Sequence, residues 1–79
     1  MKNHIDITFQ MINSKEKYDL SIPEFITFNE LYLLVCDAYQ IDVSLNYPIF
    51  KNLNKGIVMT PDDIVSEQVI SNGDLLILL

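Results

Sequence analysis

Arginine is missing from the 79 residues, and the basic side chains are five lysines, Lys2, Lys15, Lys17, Lys51 and Lys55, against eleven acidic residues for a net charge of −6. With no guanidinium forks to grip phosphates and a field that repels polyanions, a nucleic-acid-binding role is excluded, and an anionic lipid surface is disfavoured for the same reason. Cysteine occurs once, at Cys36. That excludes a disulfide framework, a CxxC redox pair and a cysteine-rich metal site, and it fits a reducing cytosol. Long apolar runs are also lacking. The closing run Leu75 to Leu79 falls far short of the roughly 20 apolar residues of a membrane-spanning helix, so no direct membrane insertion is expected. The N-terminal "MKNHIDITF" carries one lysine and no extended apolar stretch, and it does not read as a signal peptide.

What is present is apolar content, 49% of the chain, which lets a short sequence bury a core without staples. A chain of this length cannot divide those residues between two stable cores, so one domain over residues 1–79 is expected. No internal repeat, low-complexity tract or linker interrupts it.

The first segment, "HIDITFQMI", sets Ile5, Ile7, Phe9 and Met11 against Asp6, Thr8 and Gln10, the period-2 pattern of a strand with one buried face. After the polar "NSKEK", the segment "YDLSI" repeats the alternation through Tyr18, Leu20 and Ile22, which predicts a β-hairpin. Pro23 lacks a ladder donor and should end the second strand or place it at an edge. Thr27 and Glu30 then fit a capping box, with Ile26 and Leu31 at the staple positions, so a helix starts at Phe28. At about 100° per residue, Phe28, Leu31, Val35 and Ala38 form its core stripe with Leu34 and Tyr39 on the flanks. Tyr32 and Cys36 fall off the stripe's edge, Leu33 lies on the far side, and the helix should end near Gln40 to Asp42. "YPIFKNL", the turn "NKG" and "IVM" give third and fourth strands. "TPDDIVSEQ" predicts a short helical turn capped by Thr60, with Pro61 at its first position and Asp62 and Asp63 favoured by the helix dipole. "SNGD" is a further turn before a fifth strand. The order is an α+β arrangement, a five-stranded mixed sheet with one main helix on one face.

This order and these lengths resemble the ubiquitin-like β-grasp fold over the whole chain. More narrowly, "HIDITF", "YDLSIPEF", "FNELYLLVCDAY", "NKG" and "ISNGDLLILL" are similar to the YukD/EsaB proteins of Firmicutes type VII secretion systems. The resemblance implies a non-enzymatic accessory or regulatory subunit of the machinery that exports WXG-motif proteins. It further implies a cytoplasmic location, contacts at the inner face of the cell membrane through a membrane subunit or an FtsK/SpoIIIE-type ATPase, and no cofactor. Ubiquitin and sulfur carriers need a C-terminal Gly-Gly for activation, whereas the sequence ends at Leu79 with its glycines, Gly56 and Gly73, in turn contexts. Conjugation and sulfur transfer are therefore not expected. A sulfur or acyl carrier and a stand-alone cytosolic adaptor are the alternatives.

No residue cluster carries catalytic chemistry. His4 has no acidic or cysteine partner at a useful spacing and reads as an exposed strand start. Cys36 has no basic residue within a helical turn and reads as a packed thiol. Asp62, Asp63 and Glu67 lack the alternating oxygen spacing of a calcium loop, so no metal is expected. The sheet's outer face is the better candidate. With Ile5, Ile7 and Phe9 inward, Thr8 sits at the middle of that face. In the last strand, Leu76 and Leu78 are expected inward, and Leu75 and Ile77 outward, an assignment taken from the resemblance. Phe50 on the third strand is expected to extend the patch, and Leu33 offers a second contact on the helix. A protein partner, or a second copy forming a homodimer, would cover the patch.

Overall fold

The computed structural model describes residues 4–79. β1 (His4–Met11) and β2 (Lys17–Pro23) form the expected antiparallel hairpin, with Phe9 opposite Tyr18 and Ile5 opposite Ile22. Helix α1 spans Phe28–Ala38, and β3 (Phe50–Asn52), β4 (Ile57–Met59) and β5 (Asp74–Leu78) complete one sheet of order β2-β1-β5-β3-β4. β1 and β5 run parallel, and the other neighbours are antiparallel. Pro23 ends β2, which is an edge strand, so its missing N–H costs no ladder bond.

The core lies between the helix and one sheet face. Ile7 and Phe9 of β1, Ile22 of β2, Phe50 of β3, Met59 of β4, and Leu76 and Leu78 of β5 are all buried there. Rings link these strands to the helix, with Phe50 at 6.3 Å from Phe9 and 5.5 Å from Phe28 between ring centres.

The start of α1 shows why it begins at Phe28. Thr27 Oγ1 accepts from the Glu30 amide at 3.1 Å, and Glu30 Oε1 accepts from the Thr27 amide at 3.0 Å, closing the capping box. The Phe28 and Asn29 amides donate to the carbonyls of Asp63 and Pro61 at 3.0 and 3.1 Å. The first-turn donors are thereby satisfied by the segment that follows β4.

That segment departs from expectation. Thr60 does not cap a helix. The Asp63 carboxylate accepts from the Thr60 amide and hydroxyl, so residues 60–63 close a tight turn. The helical turn lies later, as a 3₁₀ turn over Val65–Glu67 with Ile64 at its N-cap. Its Val65 is buried, and the Val65 and Ser66 amides donate to the carbonyls of Ile26 and Glu24, which ties it beneath the helix start.

The helix stripe is also rotated from its expected setting. Phe28, Leu31, Tyr32, Val35 and Cys36 are buried, whereas Leu34 and Ala38 face solvent. A helix lying on a sheet buries a stripe at least 100° wide, and here Tyr32 and Cys36 fill its second edge. Tyr32 is favoured there because its hydroxyl accepts the Ser44 and Leu45 amides at 2.9 and 3.0 Å, anchoring the connection to β3.

The helix stops two residues earlier than the expected range. Tyr39 is the C-cap, Gln40 adopts φ +56°, and the Ile41 amide donates to the Cys36 carbonyl at 2.9 Å, the long bond of a Schellman closure. A side chain in this left-handed region is disfavoured, and Gln40 offsets part of the cost by donating Nε2 to the Asp37 carbonyl. Gln40→Gly should therefore raise stability by about 0.5 kcal/mol, seen as a melting temperature about 2–4 °C higher. A lower melting temperature would show that the Nε2 bond outweighs the backbone cost.

Candidate interaction surface

The face of the sheet away from the helix carries the candidate site, and strand parity decides its membership. Thr8 pairs with Asp19 on one side and Leu75 on the other, while Ile77 lies between Gln10 and Lys51. Leu75 and Ile77 are half-buried and alternate with the buried Asp74, Leu76 and Leu78. The structure thus brings Thr8, Leu75 and Ile77 together on the two central strands. Thr8 donates its hydroxyl to the Asp19 carboxylate at 2.9 Å, which fixes its rotamer against β2. A shallow groove of about 420 Å³ opens beside it, between Asp6, Asp19, Ser21 and Gly73.

Phe50 does not belong to this patch. It pairs with Leu78 and Met59, both buried, and is itself fully buried beneath the helix. The register places Lys51 outward instead, opposite Ile77 and Val58, and Val58 is 53% exposed. Lys51 and Val58 are the members that reading the sequence missed. The charge on Lys51 was the available signal, since a lysine beside a phenylalanine in a one-sided strand marks the wet face. Leu33 is exposed on the outer side of α1 and does not join the sheet-face group.

The start of β5 is held by a polar cluster that sets where Leu75 and Ile77 stand. Asp74 Oδ2 accepts from Asn52 Nδ2 and the Ser71 amide, both at 2.9 Å, and pairs with the Lys55 ammonium. Asn52 is buried, and its Oδ1 accepts from the Asn54 and Lys55 amides, closing the turn between β3 and β4. Burial alone would raise the Asp74 pKa. The hydrogen bonds from Lys55, Asn52 and Ser71 outweigh it and hold the carboxyl at about 2. On the other flank, Asn72 Oδ1 accepts from the Asp6 amide at 3.0 Å and the Gly73 amide donates to the Asp6 carbonyl at 2.8 Å. Gly73 adopts φ +90°, a conformation that glycine tolerates best.

His4 is exposed at the first position of β1, and Cys36 is packed in the core. The Asp63 carboxylate is engaged by Thr60. No group of three or more metal-ligating side chains occurs among the described residues. Nor is any helix among them long and apolar enough to cross a membrane.

No family model matches the chain. It is 30% identical over 80 residues to the type VII secretion system accessory factor EsaB of Staphylococcus aureus, in strains Newman and COL among others, covering all of both chains. Among solved structures, one described as molecular mimicry of SUMO that promotes DNA repair superposes with a TM-score of 0.82 at 20% identity, covering 100% of this chain and 94% of the other. The ubiquitin of Caldiarchaeum subterraneum gives a TM-score of 0.71 at 14% identity over 95% and 90% of the two chains. At those identities the structural likeness speaks for the fold, which is ubiquitin-like.

Proposed function

Since the chain belongs to the family of the type VII secretion system accessory factor EsaB, we propose that it is a one-domain, non-catalytic accessory subunit of such a system. It acts in the cytoplasm through protein contacts made by the open sheet face. The observation that carries this reading is the outward pair Leu75 and Ile77 on a central strand beside Thr8, on the sheet face that no described helix packs against. Half-buried aliphatic side chains ringed by Gln10, Lys51 and Asp19 have the make-up of a small interface, apolar in the middle and polar at its rim. The partner is a component of the secretion machinery, a membrane subunit or an FtsK/SpoIIIE-type ATPase at its cytoplasmic side.

Ile77→Glu is the sharpest test because its side chain points away from the core. In a strain lacking the wild-type gene, the variant should fail to restore export of WXG-motif substrates, while its circular dichroism stays unchanged and its melting temperature moves by only a few degrees. Export at wild-type level from this folded variant would rule the face out. Sedimentation of the purified wild type separates a heterologous partner from a second copy, because a dimer broken by Ile77→Glu would assign the face to self-association.

A further inference from the structure

The outer side of α1 presents a second apolar surface whose electrostatic setting differs from that of the sheet face. Leu33 and Leu34 are 45% and 47% exposed, and they lie between Glu30 and Asp37 on successive turns. Together with Pro23 and Ile26 these four line one open groove along the helix and the end of β2. Phe25, next to Ile26 in the chain, is 70% exposed, the largest exposure among the described large apolar side chains.

Among the described residues, the charge lining this groove has one sign. From Tyr18 to Phe50 the chain contains no lysine or arginine, and its ionised side chains are Asp19, Glu24, Glu30, Asp37 and Asp42. The lysines of the described residues lie elsewhere, in the β1-β2 turn and start of β2, on β3, and in the β3-β4 turn. Among the described residues the sheet face therefore mixes charges, and the charged side chains that line the helix groove, Glu30 and Asp37, are both acidic. Such a field attracts cationic segments and repels an anionic lipid surface.

We propose that this groove docks a basic amphipathic helix of a partner protein, distinct from whatever covers the sheet face. The partner's apolar ridge would lie against Leu33, Leu34 and Ile26. Glu30 and Asp37, seven residues and about 10 Å apart along the axis, would meet lysines or arginines spaced two turns apart on it. Glu30 already serves the capping box through Oε1, whereas the Asp37 carboxylate makes no hydrogen bond or ion pair in the described structure. Asp37 is thus the charge free to answer a cation.

The test uses the full chain and a synthetic 18-residue helix of leucine, alanine and lysine, with leucines at i, i+3, i+4 and i+7. A scrambled peptide of equal charge and phosphatidylglycerol vesicles are the comparisons. The designed helix should bind with amide shift changes centred on residues 26–37, and raising salt from about 50 to about 500 mM should weaken it roughly tenfold. Leu34→Ser should weaken it a further tenfold or more. Asp37→Lys should weaken it several-fold while leaving the melting temperature unchanged or slightly raised, since a cation near the helix C-terminus is favourable. Equal binding of the scrambled peptide, shifts centred on Thr8 and Ile77, or capture by the vesicles would each overturn the proposal. So would no binding by a folded wild type. The Ile77→Glu variant should bind the helix as the wild type does, so this result stands or falls independently of the sheet-face reading.

Discussion

Phe50→Ala is expected to cost about 3–5 kcal/mol, which approaches the whole stability of a domain this small and should leave a large unfolded fraction at room temperature. Phe50 is fully buried and its ring lies between those of Phe9 and Phe28, so truncation leaves a cavity bounded by both central strands and the helix. The surrounding backbone is fixed by the β3 pairings with β4 and β5, which limits how far the hole can collapse. Ile77 sits on the adjacent strand, opposite Lys51, with its side chain on the other face. Ile77→Ala should cost about 1 kcal/mol or less, because most of its surface change occurs at the boundary with water. Urea denaturation of the two variants measures the contrast directly. Losses of equal size would mean that the sheet has no single buried face at this point.

Asp74→Ala should be nearly as damaging, at about 2–4 kcal/mol. The deletion removes one of the two acceptors of the Asn52 Nδ2 group, leaving it only the Val69 carbonyl at 3.3 Å, strands the Ser71 N–H and leaves Lys55 facing a buried gap. It also acts at the join between β5 and the β3-β4 turn, so the lost contacts span two elements. The same carboxylate predicts an acid transition. Its pKa is lowered from 3.8 to about 2 in the folded protein, so the unfolded chain takes up the proton first as the pH falls. The stabilisation is complete above about pH 5 and is lost between roughly pH 4 and pH 2. Lys55 is 26% exposed, and solvent screening brings the contribution to about 1–2 kcal/mol. Asp74→Asn should flatten the fall in stability between pH 4 and pH 2 while lowering the plateau at neutral pH. An unchanged acid limb in that variant would place the transition on other carboxylates.

The two long strands and the helix start were legible because each is written in a local pattern. Period-2 alternation in β1 and β2 follows from one buried face, and Thr27 with Glu30 closes a loop of only three residues. The third strand was expected where it stands, but its facing was misread: Phe50 is inward, and so is Asn52, a polar residue buried to hold a turn and the Asp74 carboxylate. An asparagine whose role depends on partners 17 to 22 residues away leaves no trace in a short window. The same distance effect moved the helical turn. Thr60 and Pro61 look like a helix start, yet Asp63 closes a turn on Thr60, and the carbonyls of residues 61 and 63 serve the distant α1 instead. Of the expected surface group, Thr8, Leu75 and Ile77 share one face because β1 and β5 are in parallel register, a pairing between strands far apart in the chain that no local pattern specifies.

The sheet's strand order has a bearing on how the chain is made. β5 lies between β1 and β3, yet it is the last of the five strands to leave the ribosome. Until it emerges, the hairpin and the β3-β4 pair have no strand to join them, and Phe9 and Phe50 lack the Leu76 and Leu78 side chains that belong beside them. Completion of the sheet therefore waits for contacts between the two ends of the described chain, a long-range closure of the kind that slows folding. Translation delivers a nascent chain in which the β1 and β3 edges are unpaired in addition to the outer edges of β2 and β4, and the sheet is joined only after synthesis has passed Leu78.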